Sequence, residues 1–336
     1  MDRFNTDMPL HDRKLPQLAS ALDDRNMKNV LSRHVGAVMA GNGIVSVQHE
    51  ILKHTTGKRC VIQYSLNSTA HAATSIEVIG KLYRKNRGEK IFENMLNLWS
   101  VANAEEQPFN MPKPLTYLPD PGMVVQELVS GRSLFDLVGE RSFVSGVKLV
   151  ARNMARLHRL SVPGLKARTM KDHIKKYCRP GPDVLMSAEP TLAPLVEHIL
   201  AYLLENQQLR NQPLCPVHGD LGLKQILIAE DHAFFVDFDG LSRSHAALDV
   251  AHFLVTLKIY LGQRADELAE MFLDTYLHNG GAEMPGSLNP YKTFAYLRRA
   301  MICFRTNSGI DSLTRVRTLL EAGHETVNET VMEAAE

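Results

Sequence analysis

The chain is poor in cysteine and carries no excess of charge of either sign. Its four cysteines, Cys60, Cys178, Cys215 and Cys303, are scattered, and none forms a CxxC pair. That spacing argues against a disulfide framework or a cysteine-rich metal cluster and fits a reducing compartment. A formal net charge of +1 removes any global reason to expect nucleic acid or a membrane surface as partner. Long apolar runs are missing as well. The strongest candidate, "AALDVAHFLVTLKIYLG", is interrupted by Asp249, His252 and Lys258, so it reads as a buried helix rather than a membrane span. The opening "MDRFNTDMPLHDRKLPQ" lacks the apolar core of a signal peptide. Internal repeats, low-complexity tracts and a GxGxxG loop are also absent from the sequence. The expectation is a cytoplasmic globular protein, and 336 residues with 44% hydrophobic content suffice for one large domain or two packed ones.

What is present changes character along the chain. Leu15, Leu18, Leu22, Val30 and Leu31 recur at roughly helical spacing and predict a helix over residues 15–35. "GIVSVQHEILKH", "KRCVIQYSL" and "SIEVIGKLYRK" are β-branched and partly alternating, with "TTGK" as a hairpin turn. "RGEKIFENMLNLWSVA" returns to a helical pattern, the proline-rich "QPFNMPKPLTYLPDPG" reads as loop, and "MVVQELV" as a short strand. Beyond it, residues 145–160, 192–206, 246–261, 264–278 and 291–303 suit helices, and "QILIAEDHAFFVDFDG" reads as two short strands around a turn. The order predicts an α+β protein of two lobes. The expected domains are residues 1–128, with a helical extension over 1–35, and a helical lobe over 129–336.

Four charged residues stand out against that frame. Lys81 lies within the β-run "EVIGKLY", Glu93 on the following helix, Asp220 in "HGD" and Asp237 at the head of "DFDG". A strand lysine paired with a helix glutamate can aim an ammonium at a phosphate. Two aspartates flanking a hairpin can divide the rest, one orienting a hydroxyl and accepting its proton, the other holding Mg²⁺. In this order the motifs "VIGKLY", "ENMLNLW", "MVVQELVSGRSL", "MARLHRL", "HGDLGLKQIL", "FFVDFDG" and "ALDVAHFL" resemble the aminoglycoside phosphotransferase and choline kinase group, over most of the chain. That resemblance implies a bilobal protein-kinase-like fold, with a small antiparallel-sheet N-lobe holding one main helix and a larger, mostly helical C-lobe. It implies Asp220 as catalytic base, Asp237 as Mg²⁺ ligand, Lys81 on the nucleotide phosphates with Glu93 holding it, and Gln126, Glu127 and Leu128 as the hinge to the purine. His218, Asp249 and Asp239 become supports of the catalytic loops. The co-substrate is ATP or GTP with Mg²⁺, and the partner is a small hydroxyl acceptor.

Three departures qualify the resemblance. Gln225 stands where the group usually has Asn as a second metal ligand; Gln offers the same carbonyl oxygen one methylene further out. "GAVMAGNG" has the wrong spacing for a phosphate loop, which leaves "HTTGKR" as a hairpin that could cover phosphates. "SRSHAALD" stands where a Gly-Asp-Pro is common. Alternatives stay open at several positions: Glu89 lies one turn before Glu93 on the same side, His158 reads as helix packing, and Arg298, Arg299, Arg305, Arg315 and Arg317 form either a solvated surface or a wall for an anionic acceptor. A catalytically weak pseudokinase that binds nucleotide as a scaffold is the competing functional class, although Asp220, Asp237 and Lys81 are all retained.

Overall fold

A computed structural model describes residues 12–35, 43–68, 75–84, 87–106, 108–206, 213–284, 287–306 and 310–333. The chain divides into two compact units. One holds residues up to Ala104 together with Asn110–Ser130; the other holds Glu105–Phe109 and everything from Gly131 on.

The first unit is built on five antiparallel strands, β1 (Ile44–Thr55), β2 (Arg59–Ser68), β3 (Ser75–Tyr83), β4 (Pro114–Leu118) and β5 (Met123–Glu127), in the order β1-β2-β3-β5-β4. Strand alternation decides which face is covered: Cys60, Ile62, Tyr64 and Leu66 of β2 are all buried. They pack with Leu18 and Ala21 of α1 (Leu18–Ala21) and Met27 and Leu31 of α2 (Asp24–His34). The Tyr64 hydroxyl donates to the Ala21 carbonyl at 2.7 Å. The expected single helix over 15–35 is thus two helices. Asp23 adopts an extended backbone and its carboxylate accepts the N–H groups of Arg25 and Asn26, so a new helix starts where the first would have continued. The proline-rich segment read as loop contains β4, a correction with a simple cause: Pro114 begins a strand at the sheet edge, where its missing N–H costs no ladder bond. Helix α3 (Arg87–Ala102) buries Ile91, Met95 and Leu98.

The second unit is mainly helical: α4 (Ser142–Arg159), α5 (Met170–Tyr177), α6 (Pro182–Ala188), α7 (Ala193–Glu205), α8 (Ala247–Leu261), α9 (Ala265–His278), α10 (Asn289–Thr306) and α11 (Ile310–Glu333). Two small sheets interrupt it. β6 (Arg132–Ser133), β8 (Ile226–Ala229) and β9 (His232–Phe235) form one, while β7 (Cys215–Val217) and β10 (Ser242–Ser244) form the other. The helical core joins Val196 and Ile199 of α7, Leu248 and Ala251 of α8, Leu297 and Met301 of α10, and Val316 and Leu320 of α11. Among the described residues no helix is long and apolar enough to cross a membrane.

A buried histidine makes this unit acid-sensitive. His173 of α5 is 1% exposed, reaches Ser244 Oγ through Nε2 at 3.1 Å, and has no partner at Nδ1 among the described residues. Burial, with the charges of Arg168 and Lys176, pushes its pKa down to about 3. The folded protein therefore binds fewer protons here than the unfolded chain, and stability is lost as pH falls below the unfolded value near 6.5. Unfolding measured at pH 7.5 and 4.5 should show a loss from this group of about 2–3 kcal/mol, and His173→Gln should flatten that slope.

Candidate active site

The "HGD" triplet follows β7 directly, and its shape is imposed from beneath. Gly219 has φ +76°, and a side chain there would meet the Tyr177 hydroxyl and the Gly240 carbonyl, so glycine is required on both grounds. Asp249, in the first turn of α8, accepts the backbone N–H groups of His218 at 2.6 Å and Gly219 at 2.8 Å. His158 of α4 approaches the same carboxylate at 3.4 Å and takes the Tyr276 hydroxyl on its other nitrogen at 2.8 Å. Burial opposes ionisation of Asp249, but the hydrogen bonds from His158 and Gly219 outweigh it and hold the carboxyl below its ordinary range. His158 therefore packs within its helix and also orients the support of the loop.

His218 has both ring nitrogens committed. Nε2 lies 3.0 Å from the Val236 carbonyl, so it carries the proton, and Nδ1 accepts the Asp220 N–H at 3.3 Å. The ring is left with no lone pair or proton to offer a substrate, and it joins the loop to the end of the β8–β9 hairpin.

Asp220 carries the one carboxylate of this loop that meets solvent: its side chain is 47% exposed. One of its oxygens, Oδ1, accepts a hydrogen bond from Arg298 Nη2. Arg298 comes from α10, is 4% exposed in its side chain, donates through Nη1 to the Gly219 carbonyl at 3.0 Å, and lies 4.2 Å from the Tyr177 ring centroid. Arg298 thus belongs neither to a solvated surface nor to an open acceptor wall, the two alternatives left by the sequence. It is a buried brace on Asp220. The sequence did hold a signal: Arg298 falls on the stripe Phe294, Leu297, Met301 that buries the inner face of α10, where an arginine needs a partner.

The hairpin β8–β9 brings Gln225 and Asp237 to its open end. Asp237 has φ +74° and ψ +57°, one of two non-glycine residues with positive φ among those described. Left-handed backbone at an aspartate costs about 1 kcal/mol or more. Lys176 of α5 donates to the Asp239 carbonyl at 3.0 Å and Arg168, just before that helix, to the Gly240 carbonyl at 2.9 Å, which anchors the loop after Asp237. Asp239 is half-buried within that loop. Gln225 Oε1 accepts the Gly222 N–H at 3.2 Å, so in this conformation its carbonyl oxygen closes the turn of the catalytic loop.

In the first unit, Lys81 is buried in β3, opposite Val61 of β2 and Val124 of β5. A side chain at the preceding Gly80 would collide with the Met123 thioether and the Tyr64 ring, which sets the strand's position. Glu93 is not brought to Lys81. It is 53% exposed and takes Lys90 at 2.9 Å, one turn earlier on the same helix. Its i−3 neighbour is simply nearer than the sheet. Glu89 is exposed as well. At the end of β5, Gln126 is buried with no partner for Oε1 among the described residues, Glu127 is exposed and its N–H donates to the Lys113 carbonyl at 3.0 Å, and Leu128 is half-buried.

The "HTTGKR" turn is held by a carboxylate from the start of the described chain. Asp12 accepts the Gly57 N–H at 2.6 Å and His54 Nε2 at 3.0 Å, and the Gly57 hydrogen bond leads the effects that lower its pKa. A buried carboxylate occupying that N–H disfavours a phosphate there. "GAVMAGNG" falls almost wholly outside the described residues.

Among the described residues no cluster of three or more His, Cys, Asp or Glu side chains is poised for a metal. Asp237 with an amide oxygen suits Mg²⁺ all the same, because that ion keeps its waters and binds through one or two carboxylates and the phosphates of its partner. The donor set is all oxygen, as Mg²⁺ requires.

The profile of the phosphotransferase enzyme family matches residues 69–291. The chain belongs to this family. Its fold is kinase-like, α+β, as the solved structures also indicate. The choline kinase of Cryptosporidium parvum is 11% identical, with a TM-score of 0.62 over 92% of this chain and 97% of that one. The ethanolamine kinase of Plasmodium vivax is 15% identical, with a TM-score of 0.57 over 89% of this chain and 88% of that one. An amicoumacin kinase solved in complex with AMP-PNP, Ca²⁺ and Ami is 12% identical, with a TM-score of 0.61 over 83% of this chain and 88% of that one. A search of curated protein sequences finds no match.

Proposed function

We propose that this member of the family is a cytoplasmic small-molecule O-phosphotransferase that moves the γ-phosphate of a Mg²⁺-bound nucleoside triphosphate, ATP or GTP, to the hydroxyl of a sugar, amino alcohol or related metabolite. The observation that carries this reading is the state of Asp220: a half-exposed carboxylate on a loop whose backbone ends on buried Asp249, with Oδ1 held by Arg298 and Oδ2 left for an acceptor hydroxyl. Phosphoryl transfer asks for positioning and charge neutralisation more than covalent chemistry. In this reading Asp220 aligns the hydroxyl and accepts its proton. Lys81 binds the nucleotide phosphates without the help of Glu93, and the backbone at Gln126, Glu127 and Leu128 meets the base. Mg²⁺ would neutralise charge on the phosphates. Asp237 would hold it, and the Gln225 carbonyl oxygen, now taken by the Gly222 N–H, would be the second protein oxygen available to it. The retained carboxylates and the enzymes named among the structural relatives weigh against a scaffold without activity.

Calorimetric titration with Mg-ATP and Mg-GTP, followed by a screen of hydroxyl metabolites scored by ADP or GDP release, tests this. Binding of one nucleotide and release that depends on one acceptor are expected. Undetectable nucleotide binding would remove the phosphotransferase reading.

A further inference from the structure

Beside the catalytic loop lies a group of side chains that the reaction as described does not use. The Phe135 N–H donates to the Leu223 carbonyl at 3.3 Å, which fixes Phe135 against the loop that carries Asp220. Its ring meets Tyr260 of α8 edge-on, with centroids 5.4 Å apart and planes at 73°. Each ring also carries a cation. Lys224, four residues after Asp220, stands 4.4 Å from the Phe135 centroid. Arg299, the neighbour of the Asp220 brace, stands 5.7 Å from the Tyr260 centroid and donates to the Tyr260 hydroxyl at 3.1 Å. Lys224 is exposed, and Phe135, Tyr260 and Arg299 are all partly open to solvent. The exposed carboxylate of Asp136, on the residue after Phe135, accepts the Ser133 hydroxyl at 2.7 Å and is a negative group on this strip of chain.

Two aromatic rings side by side could form a cage for a quaternary or protonated amine. Here each ring already carries a side-chain cation, and an incoming ammonium would meet two like charges at short range. The same pair of cations, set on an aromatic platform that is tied through Phe135 to the loop carrying Asp220, suits an acceptor that bears an anionic group. Resting on the phosphotransferase reading, we infer that the acceptor hydroxyl belongs to an anionic compound, carrying a carboxylate or a phosphate, whose negative group is read by Lys224 and Arg299 across the Phe135–Tyr260 platform. Arginine offers a planar fork to such an oxyanion and lysine a mobile point charge, so together they tolerate acceptors of differing length. A cationic amino alcohol or aminoglycoside is disfavoured.

The test uses the full chain. Mg–AMP-PNP is first titrated into wild type; absence of binding fails the phosphotransferase reading and this inference with it. With AMP-PNP saturating, inorganic phosphate, D-glycerate and choline are then titrated separately. Binding of phosphate or D-glycerate without choline is expected, and which of the two binds separates a phosphate-bearing from a carboxylate-bearing acceptor. Lys224→Ala and Arg299→Ala should each weaken the anion by about tenfold, with AMP-PNP affinity unchanged, and Arg299→Lys should restore part of it. Nucleotide binding that is intact while choline binds, while no anion binds, or while anion affinity ignores both substitutions overturns the inference and leaves the phosphotransferase reading standing.

Discussion

Asp220→Ala should abolish phosphoryl transfer and also lower the stability of the second unit, whereas Asp220→Asn should abolish transfer with a smaller loss of stability. Loss of a general base costs about 10²–10⁴-fold in rate, and both variants lose it. The stability difference comes from Arg298. Its guanidinium is buried, its Nε has no partner among the described residues, and the Asp220 carboxylate offsets its charge. Truncation at 220 leaves a buried cation with only the Gly219 carbonyl and the Tyr177 face. Uncompensated buried charge is costly, but Asp220 is half open to water, so about 1–3 kcal/mol is expected rather than the full cost of a buried pair. Asparagine keeps an acceptor oxygen for Nη2 but not the negative charge, so it recovers only the hydrogen-bond part of that loss. Urea unfolding of both variants beside ADP or GDP release reads the two effects separately. The double variant Asp220→Ala/Arg298→Met should regain stability without regaining activity. Equal stability of Asp220→Ala and wild type would mean that Arg298 does not depend on Asp220.

Asp249→Ala should be the more damaging change to the fold. The carboxylate is fully buried and takes the His218 N–H, the Gly219 N–H and the His158 ring. Its removal leaves three buried donors without an acceptor, each worth about 1–3 kcal/mol, and a combined loss of about 3–5 kcal/mol is the scale for breaking such a cluster. Asp249→Asn retains one acceptor oxygen but turns an amide N–H toward a donor, so it should fall between. Hydrogen exchange at the His218 and Gly219 amides gives the local readout: strong protection in wild type, lost in Asp249→Ala at pH and temperature where the rest of α8 remains protected. Unchanged protection there would show that the loop is held by other contacts. Because the loop positions Asp220, turnover should fall with it while nucleotide affinity in the first unit stays level.

Much of the architecture was legible because it is local. Alternation at Cys60, Ile62, Tyr64 and Leu66 marks one covered sheet face, and the strand pair around "EDH" follows from two short apolar runs and a turn. The β4 edge strand was hidden by Pro114, whose effect depends on whether the strand is central or at an edge, and that is a property of the sheet. The break at Asp23 was hidden because a capping aspartate and a solvent-facing one look alike until the following N–H groups are placed.

Sequence alone determined the broad order of a sheet-rich first part and a mostly helical second part, because periodicity is written along the chain, and its motifs carried the resemblance that implied the kinase-like class and the residues on which the proposed chemistry rests. Tertiary structure decided which charges meet. Arg298 reaches Asp220 across 78 residues, Asp12 claims the Gly57 N–H across 45, and Glu93 turns to Lys90 instead of Lys81. A charged side chain takes the partner that folding places nearest and best shields from water, and no local pattern specifies that distance or that burial.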